Sequence, residues 1–142
     1  MKQVFLLAAI ICFGMAAVKF YTARMSPRSA QQTGEPERGK GWQTITAEDA
    51  KARLDSSGDV VLLDVRTTEE FGGGHIPGAV CLPNEDISPD LPLPFDHDAE
   101  VLVYCRSGRR SAEAAKKLAD MGYTNVSDFG GILDWPYGTT TD

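Results

Sequence analysis

The stretch "VLVYCRSGRRSAEAA", residues 101–115, combines a nucleophile with several cationic groups. An apolar run typical of a buried strand ends on Cys105, and a loop with three arginines follows before an alanine-rich helical pattern begins. The pKa of a free thiol is about 8.5, and a helix N-terminus with nearby guanidinium groups can lower it to roughly 3.5–7.5. We therefore expect Cys105 to be a nucleophilic thiolate.

The loop after Cys105 is suited to hold an anion beside the sulfur. Gly108 can adopt positive φ, so the loop can curl and direct successive N–H groups inward. A helix that begins near Arg110 or Ser111 adds the positive end of its dipole. Of the arginines, Arg110 is the favoured anion contact and the other two are expected to face solvent. The predicted substrate-binding residues are Arg106, Ser107, Gly108, Arg109 and Arg110.

Polar residues at the end of another apolar run are expected to support this loop. The run "VVLLDV", residues 60–65, has the pattern of a buried strand and carries Asp64 near its end. Because the carboxyl ends of parallel strands meet at one rim of a sheet, Asp64 and Cys105 should share that rim. Asp64 and Arg66, with an ion pair to Glu70, are therefore predicted to order the rim rather than to contact substrate.

The other cysteines, one histidine and a run of glycines carry no expected chemistry. The three cysteines, Cys12, Cys81 and Cys105, lack the paired spacings of a disulfide framework or a zinc site. Cys81 in "GAVCLP" has the surroundings of a buried strand residue. The glycines at 72–74 are expected to shape turns, since the phosphate-binding glycine motifs are missing. His75, which follows them, is expected to be structural rather than a general base.

Strands and helices alternate along residues 42–142, and this order predicts an α/β domain. Its central sheet should be mainly parallel, with helices on both faces in a three-layer arrangement. The predicted strands are Val60–Val65 and the runs "GAVCLP", "VLVYC" and "NVSDF"; the predicted helices are Thr46–Leu54, Ser111–Gly122 and a short turn in "GGILDW".

The beginning of the chain has a different composition. Residues 4–18 contain no charge, a stretch that is short for a membrane span of roughly 20 residues and suits a signal-peptide core. Residues 1–25 are predicted to be a signal peptide or membrane anchor, residues 26–41 a flexible linker, and residues 42–142 the folded domain. Export to the periplasm, with or without retention of the anchor, is favoured. A cytoplasm-facing anchor stays open because basic residues follow the apolar run.

Charge is divided unevenly along the chain. Residues 1–43 hold six bases and two acids, whereas residues 44–142 hold eight bases and eighteen acids, a net charge of −10. So acidic a domain argues against binding to nucleic acid or to an anionic membrane face.

The motifs around these residues resemble one protein family. The loop "CRSGRRS" resembles the active-site loop of the rhodanese family of sulfurtransferases, and "LLDVRTTEEFGGGHIPGAVCLP" and "GYTNVSDFGGILDW" are similar to two further segments of that family. The resemblance implies a single rhodanese-like domain. In it, Cys105 would take sulfur from a small anionic donor such as thiosulfate and form a persulfide. The sulfur would pass to cyanide or another thiophilic acceptor, including a protein, with no metal ion or organic cofactor.

Two other functions stay open. A cysteine-dependent phosphatase or arsenate reductase is less favoured, because the phosphatase loop C-x5-R has seven residues and Cys105 to Arg110 has six. A rhodanese-like module that carries sulfur or docks a protein without turnover is the stronger alternative. It draws support from residues 82–104, which hold six acids and four prolines but no lysine or arginine; this proline-rich stretch should be irregular. Such a stretch could receive a basic protein.

Overall fold

The computed structural model describes residues 41–56 and 58–142. The predicted targeting segment and nearly all of the predicted linker lie outside these residues. No helix among those described is both long enough and apolar enough to cross a bilayer.

A five-stranded sheet forms the centre of the domain, and every strand pair in it is parallel. The spatial order is β1-β5-β4-β2-β3. The predicted α/β class and parallel sheet are confirmed. The short first strand was not predicted, because it has too few residues to show a pattern and forms by pairing with β5. The strands are β1 (Trp42–Thr44), β2 (Val60–Asp64), β3 (Val80–Cys81), β4 (Glu100–Cys105) and β5 (Val126–Gly131).

Three helices connect the strands, and two of them begin with reciprocal caps. The side chain of Thr46 accepts a hydrogen bond from the Asp49 amide at 3.0 Å, and Thr67 and Glu70 form the same kind of capping box at the second helix. The second helix lies in a segment where no helix was predicted. The helices are α1 (Ala47–Asp55), α2 (Thr68–Gly72) and α3 (Arg109–Asp120), and 3₁₀ turns span Asn84–Asp86 and Ile132–Asp134.

Alternate residues of the strands pack into two separate apolar layers. Leu63 and Val103 contact the layer that contains Leu118 of α3, whereas Leu62 and Leu102 contact the layer that contains Ala50 of α1. Helices therefore cover both faces, as predicted. The acidic segment 82–99 is irregular apart from its 3₁₀ turn, also as predicted, and its buried Ile87 belongs to the α3 layer.

A buried carboxylate joins the central strands. Asp64 is fully buried and accepts hydrogen bonds from Tyr104 Oη at 2.7 Å and from Arg66 Nε at 2.9 Å. Tyr104 Oη also accepts a hydrogen bond from the Ile76 amide at 3.0 Å, and Arg66 donates a further bond to Gly74 O at 2.8 Å. Because unpaired buried charge is costly, these bonds fix the carboxyl end of β2 against β4.

The substitution Tyr104→Phe tests the contribution of this network. It leaves the Ile76 amide without its partner and removes one of the donors to Asp64 Oδ2, which keeps its bonds from Arg66. We therefore expect a loss of about 1–3 kcal/mol in the free energy of unfolding, measured in urea. Tyr137→Phe is the control, because Tyr137 is 44% exposed. Equal stabilities of the two variants would contradict a structural role for the Tyr104 hydroxyl.

Candidate active site

The loop from Cys105 to Arg110 joins the end of β4 to the first turn of α3. Gly108 precedes the helix with φ of 101°, a conformation that favours glycine, and its amide donates a hydrogen bond to Cys105 Sγ at 3.0 Å. The helix begins at Arg109, slightly earlier than predicted. Its amino terminus therefore faces the sulfur, as the sequence indicated.

The sulfur of Cys105 is buried but surrounded by hydrogen-bond donors. The residue is only 1% exposed, and burial by itself would raise the pKa of the thiol. The Ser111 hydroxyl and the amides of Ser111, Gly108 and Ser107 outweigh this effect, so the pKa of Cys105 is lowered. These donors, rather than the guanidinium groups inferred from the sequence, are the main favourable cause.

Ser111 is a site residue that the sequence reading missed. It is fully buried, and its hydroxyl lies 3.0 Å from Gly108 O and 3.2 Å from Gly130 O. A hydroxyl has one proton to donate, so these carbonyls compete with the sulfur for it. Ionisation of Cys105 makes the sulfur the stronger acceptor. The position of Ser111 in the first turn of α3, directly after the loop, is the signal that could have identified it.

The three arginines of the loop differ in their partners. Arg110 donates to both carboxylate oxygens of Glu70, at 2.8 and 2.9 Å, whereas Arg106 and Arg109 are exposed, as predicted. The prediction of an ion pair between Arg66 and Glu70 is wrong, because Arg66 pairs with Asp64 instead. Much of the charge of Arg110 is therefore neutralised by a neighbouring carboxylate.

The Glu70 carboxylate holds α2 against the loop. Its hydrogen bonds with Arg110 lower its pKa from 4.5 to about 2, although partial burial acts in the opposite direction. Because the pKa is depressed in the folded state, the pair stabilises the fold above about pH 4.5 and loses this effect as the pH falls towards 2.

Gly131 of β5 forms the floor beneath the loop. The pairing of β4 with β5 shifts in register between Val103 and Cys105, so that Cys105 lies opposite Gly131. A Cβ atom at Gly131 would be 2.2 Å from Arg106 O and 2.7 Å from Ser107 Cα. Only glycine allows the loop backbone to approach so closely, a requirement that the sequence reading did not recognise in "DFGG".

The supporting residues lie where the sequence indicated, but do not all act as predicted. Asp64 pairs in register with Tyr104, which places it on the rim one strand away from Cys105. His75 is buried, with Nδ1 3.0 Å from Phe71 O. Cys81 lies in β3 and is half-buried rather than buried, and burial raises its pKa. Among residues 41–56 and 58–142, no cluster of His, Cys, Asp and Glu could hold a metal ion.

The substitution Ser111→Ala tests the origin of the lowered pKa. Loss of the hydroxyl should raise the pKa of Cys105, so its alkylation by iodoacetamide at pH 7 should slow several-fold while the rate at high pH recovers. Peptide mapping by mass spectrometry identifies the modified cysteine. Ser107→Ala keeps the backbone amide that faces the sulfur. The midpoint pH, at which the alkylation rate of Cys105 is half its maximum, should therefore stay unchanged in this variant. If the midpoint pH of alkylation does not rise in Ser111→Ala, the backbone amides alone are sufficient to lower the pKa of Cys105.

The substitution Gly131→Ala tests the floor of the loop. The added Cβ would overlap Arg106 O, so the loop must move and the amides must lose their alignment with Cys105. We expect the midpoint pH of Cys105 alkylation to rise while the protein stays folded. Gly72→Ala is the matched control, because nothing lies within 4 Å of a Cβ at Gly72. Equal midpoints in the two variants would refute the steric role of Gly131.

Comparison with known proteins places the chain in a family. The family model of the rhodanese-like domain matches residues 46–136. A protein named sulfurtransferase from Allochromatium vinosum is 40% identical over 92 residues, which cover 64% of this chain and 85% of that protein. Thiosulfate sulfurtransferase PspE of Escherichia coli is 36% identical over 73 residues, 51% of this chain and 70% of that protein.

Solved structures agree with this assignment. The crystal structure of a rhodanese-like domain protein from Staphylococcus aureus superimposes with a TM-score of 0.63 at 33% identity, covering 70% of this chain and 98% of that one. The order of strands, the cysteine loop and the family match are therefore consistent, and the chain belongs to the rhodanese-like domain family.

Proposed function

We propose that the protein is a sulfurtransferase in which Cys105 carries the transferred sulfur as a persulfide. The observation that carries this proposal is the ring of donors around one sulfur atom: the Gly108 amide at 3.0 Å, the amides of Ser107 and Ser111, and the Ser111 hydroxyl. They favour the thiolate, which is the reactive form of cysteine. Family membership and the sulfurtransferase names of relatives support the same chemistry.

In the first step, the Cys105 thiolate attacks the outer sulfur of thiosulfate. A bond forms between Cys105 Sγ and that sulfur, the sulfur–sulfur bond of thiosulfate breaks, and sulfite leaves with the bonding electron pair. The outer sulfur keeps the negative charge that it carries in thiosulfate and sulfite leaves as a dianion, so the protein holds one negative charge on Cys105 Sγ before the transfer and one on the outer sulfur after it. The amides of the loop can donate to this sulfur as they donate to the thiolate, so they stabilise charge before and after the transfer.

In the second step, cyanide or a thiolate attacks the outer sulfur of the persulfide. The new bond forms on the acceptor, and the Cys105–sulfur bond breaks with its electrons returned to Cys105 as a thiolate. The products are thiocyanate or a new persulfide. The cycle needs no metal ion or redox cofactor, because each step exchanges one sulfur bond for another.

Thiosulfate is the proposed donor because the loop combines amides with unpaired positive charge. Arg106 and Arg109 are exposed beside Cys105, and no ion pair of either is found among the described residues. A small dianion can approach these groups and reach the amides with its outer sulfur. Arg110 donates both of its hydrogen bonds to Glu70. Its main role is therefore to shape the loop, and it is not the sole group that binds the anion.

Mass spectrometry of the full-length protein after mixing with thiosulfate tests the proposal. The parent chain should gain the mass of one sulfur, mapped to Cys105, and subsequent addition of cyanide should remove it with release of thiocyanate. Cys105→Ser should gain no sulfur. Cys81→Ser is the control and should behave like the parent, because the Cys81 thiol has a raised pKa and lies outside the amide ring.

The outcomes separate the proposed enzyme from the alternatives. Equal sulfur gain by the parent and Cys105→Ser would refute the role of Cys105. A persulfide that forms once but is not discharged by cyanide or thiols would favour a sulfur-carrying module. Phosphate release from a phosphoprotein, without any gain of sulfur, would favour the phosphatase.

A further inference from the structure

Strand β2 is paired along its whole length on one side only. All five of its residues pair with β4, whereas β3 pairs only with Leu63 and Asp64. The Val65 amide donates to Tyr104 O at 3.0 Å, which fixes the side that each residue faces. Backbone groups of successive residues in a strand point to opposite sides, so the amides of Val61, Leu63 and Val65 point towards β4. The amide and carbonyl of Val60 and the amide of Leu62 point away from β4. Within the described residues, no strand lies beside them.

An apolar cleft of about 360 Å³ lies along this unpaired edge. Its walls are the edge of β2, the short β3 strand and part of the irregular acidic segment. Val80 in the cleft is 57% exposed, which is unusual for a valine in a strand. The cleft is lined by Val60, Val61, Leu62, Leu63, Gly78, Val80, Cys81, Leu82, Leu93, Pro94 and Phe95.

The surroundings of this cleft are acidic. All of its lining residues belong to two stretches, 54–65 and 67–105, that contain no lysine or arginine. Asp59 directly precedes the lining residue Val60, and Asp96 directly follows the lining residue Phe95; both aspartates are exposed. An acidic rim around an apolar floor favours a partner that is apolar and basic.

We propose that this cleft docks an extended, basic and apolar segment of a partner protein. The segment lies beside Val60–Leu62 as an added strand, its backbone bonded to the free edge of β2 and its apolar side chains in the cleft. Lysine or arginine side chains of the segment reach the aspartates of the rim. A second copy of the folded domain is disfavoured as the occupant, because residues 44–142 carry a net charge of −10 and two such rims repel.

The docking edge is distant from the cysteine loop. The edge lies at the amino end of β2, whereas Cys105 lies at the carboxyl end of the neighbouring strand β4. The four steps from Val60 to Asp64 span about 13 Å at roughly 3.3 Å per residue. A partner bound here leaves the loop open, so this inference does not depend on the proposed sulfur transfer.

Hydrogen exchange in the full-length, ¹⁵N-labelled chain tests the proposal. The probe is an acetylated hexapeptide of alternating lysine and valine, and the comparison peptide replaces lysine with glutamate. The basic peptide should slow exchange at the Val60 and Leu62 amides at least about tenfold at saturation. The amides of Val61 and Leu63 already face β4 and should change little. The acidic peptide should have no effect.

Two charge-reversed double variants separate specific binding from general attraction. Asp59→Lys with Asp96→Lys should weaken binding of the basic peptide about tenfold. Glu48→Lys with Asp142→Lys changes the net charge equally but lies elsewhere, so its affinity should stay within about twofold of the parent. Unchanged ¹⁵N spectra outside the substituted sites verify the fold of both.

Several results would overturn the proposal. Unaltered exchange at Leu62 in the presence of the basic peptide would exclude an added strand. Equal binding of the two peptides, or equal weakening by the two double variants, would exclude charge-selective docking at this cleft. Concentration-dependent dimers that protect Val60 and Leu62 without peptide would assign the edge to a second copy.

Discussion

Several N–H groups of one short loop converge on one sulfur atom, and the chemistry of the site depends on this arrangement. Burial at the end of β4 disfavours a charged Cys105, so the thiolate is stable only while the amides of Ser107, Gly108 and Ser111 and the Ser111 hydroxyl keep their direction. Three features keep these donors directed at the sulfur: the positive φ of Gly108, the start of α3 at Arg109, and a glycine at position 131, where a Cβ atom would overlap the loop. Each is a constraint on backbone geometry.

Most of the charge around the loop is already paired within the protein. Asp64 is bonded to Arg66 and Tyr104, and Glu70 is bonded to Arg110, so these groups join β2, β4, α2 and α3 into one rigid rim. The free guanidinium groups are those at the exposed surface of the loop, Arg106 and Arg109 among the described residues. This division separates charges that fix the site from charges that can attract an anionic donor.

The sheet presents different properties at its two ends. Its carboxyl end carries the loop and the paired charges. At the amino end of β2, an edge that no strand of the described residues pairs lies beside an apolar cleft. The acidic segment 82–99 contributes to both regions: the Asn84 carbonyl accepts a bond from Lys117 of α3 at 2.7 Å, while Leu93 and Phe95 line the cleft.

The sequence by itself determined the class of fold and the place of Cys105 at the end of a buried strand. Continuous apolar runs mark β2 and β4, local capping residues mark the start of α1, and Cys105 ends its strand directly before a glycine-containing loop, so short-range patterns were sufficient. The tertiary structure alone decided the partner of Glu70, the burial of Ser111, the close approach at Gly131 and the Tyr104 bond to Asp64. Glu70 and Arg110, like Asp64 and Tyr104, are 40 residues apart. Such contacts depend on strand order and register, which no local pattern of residue types specifies.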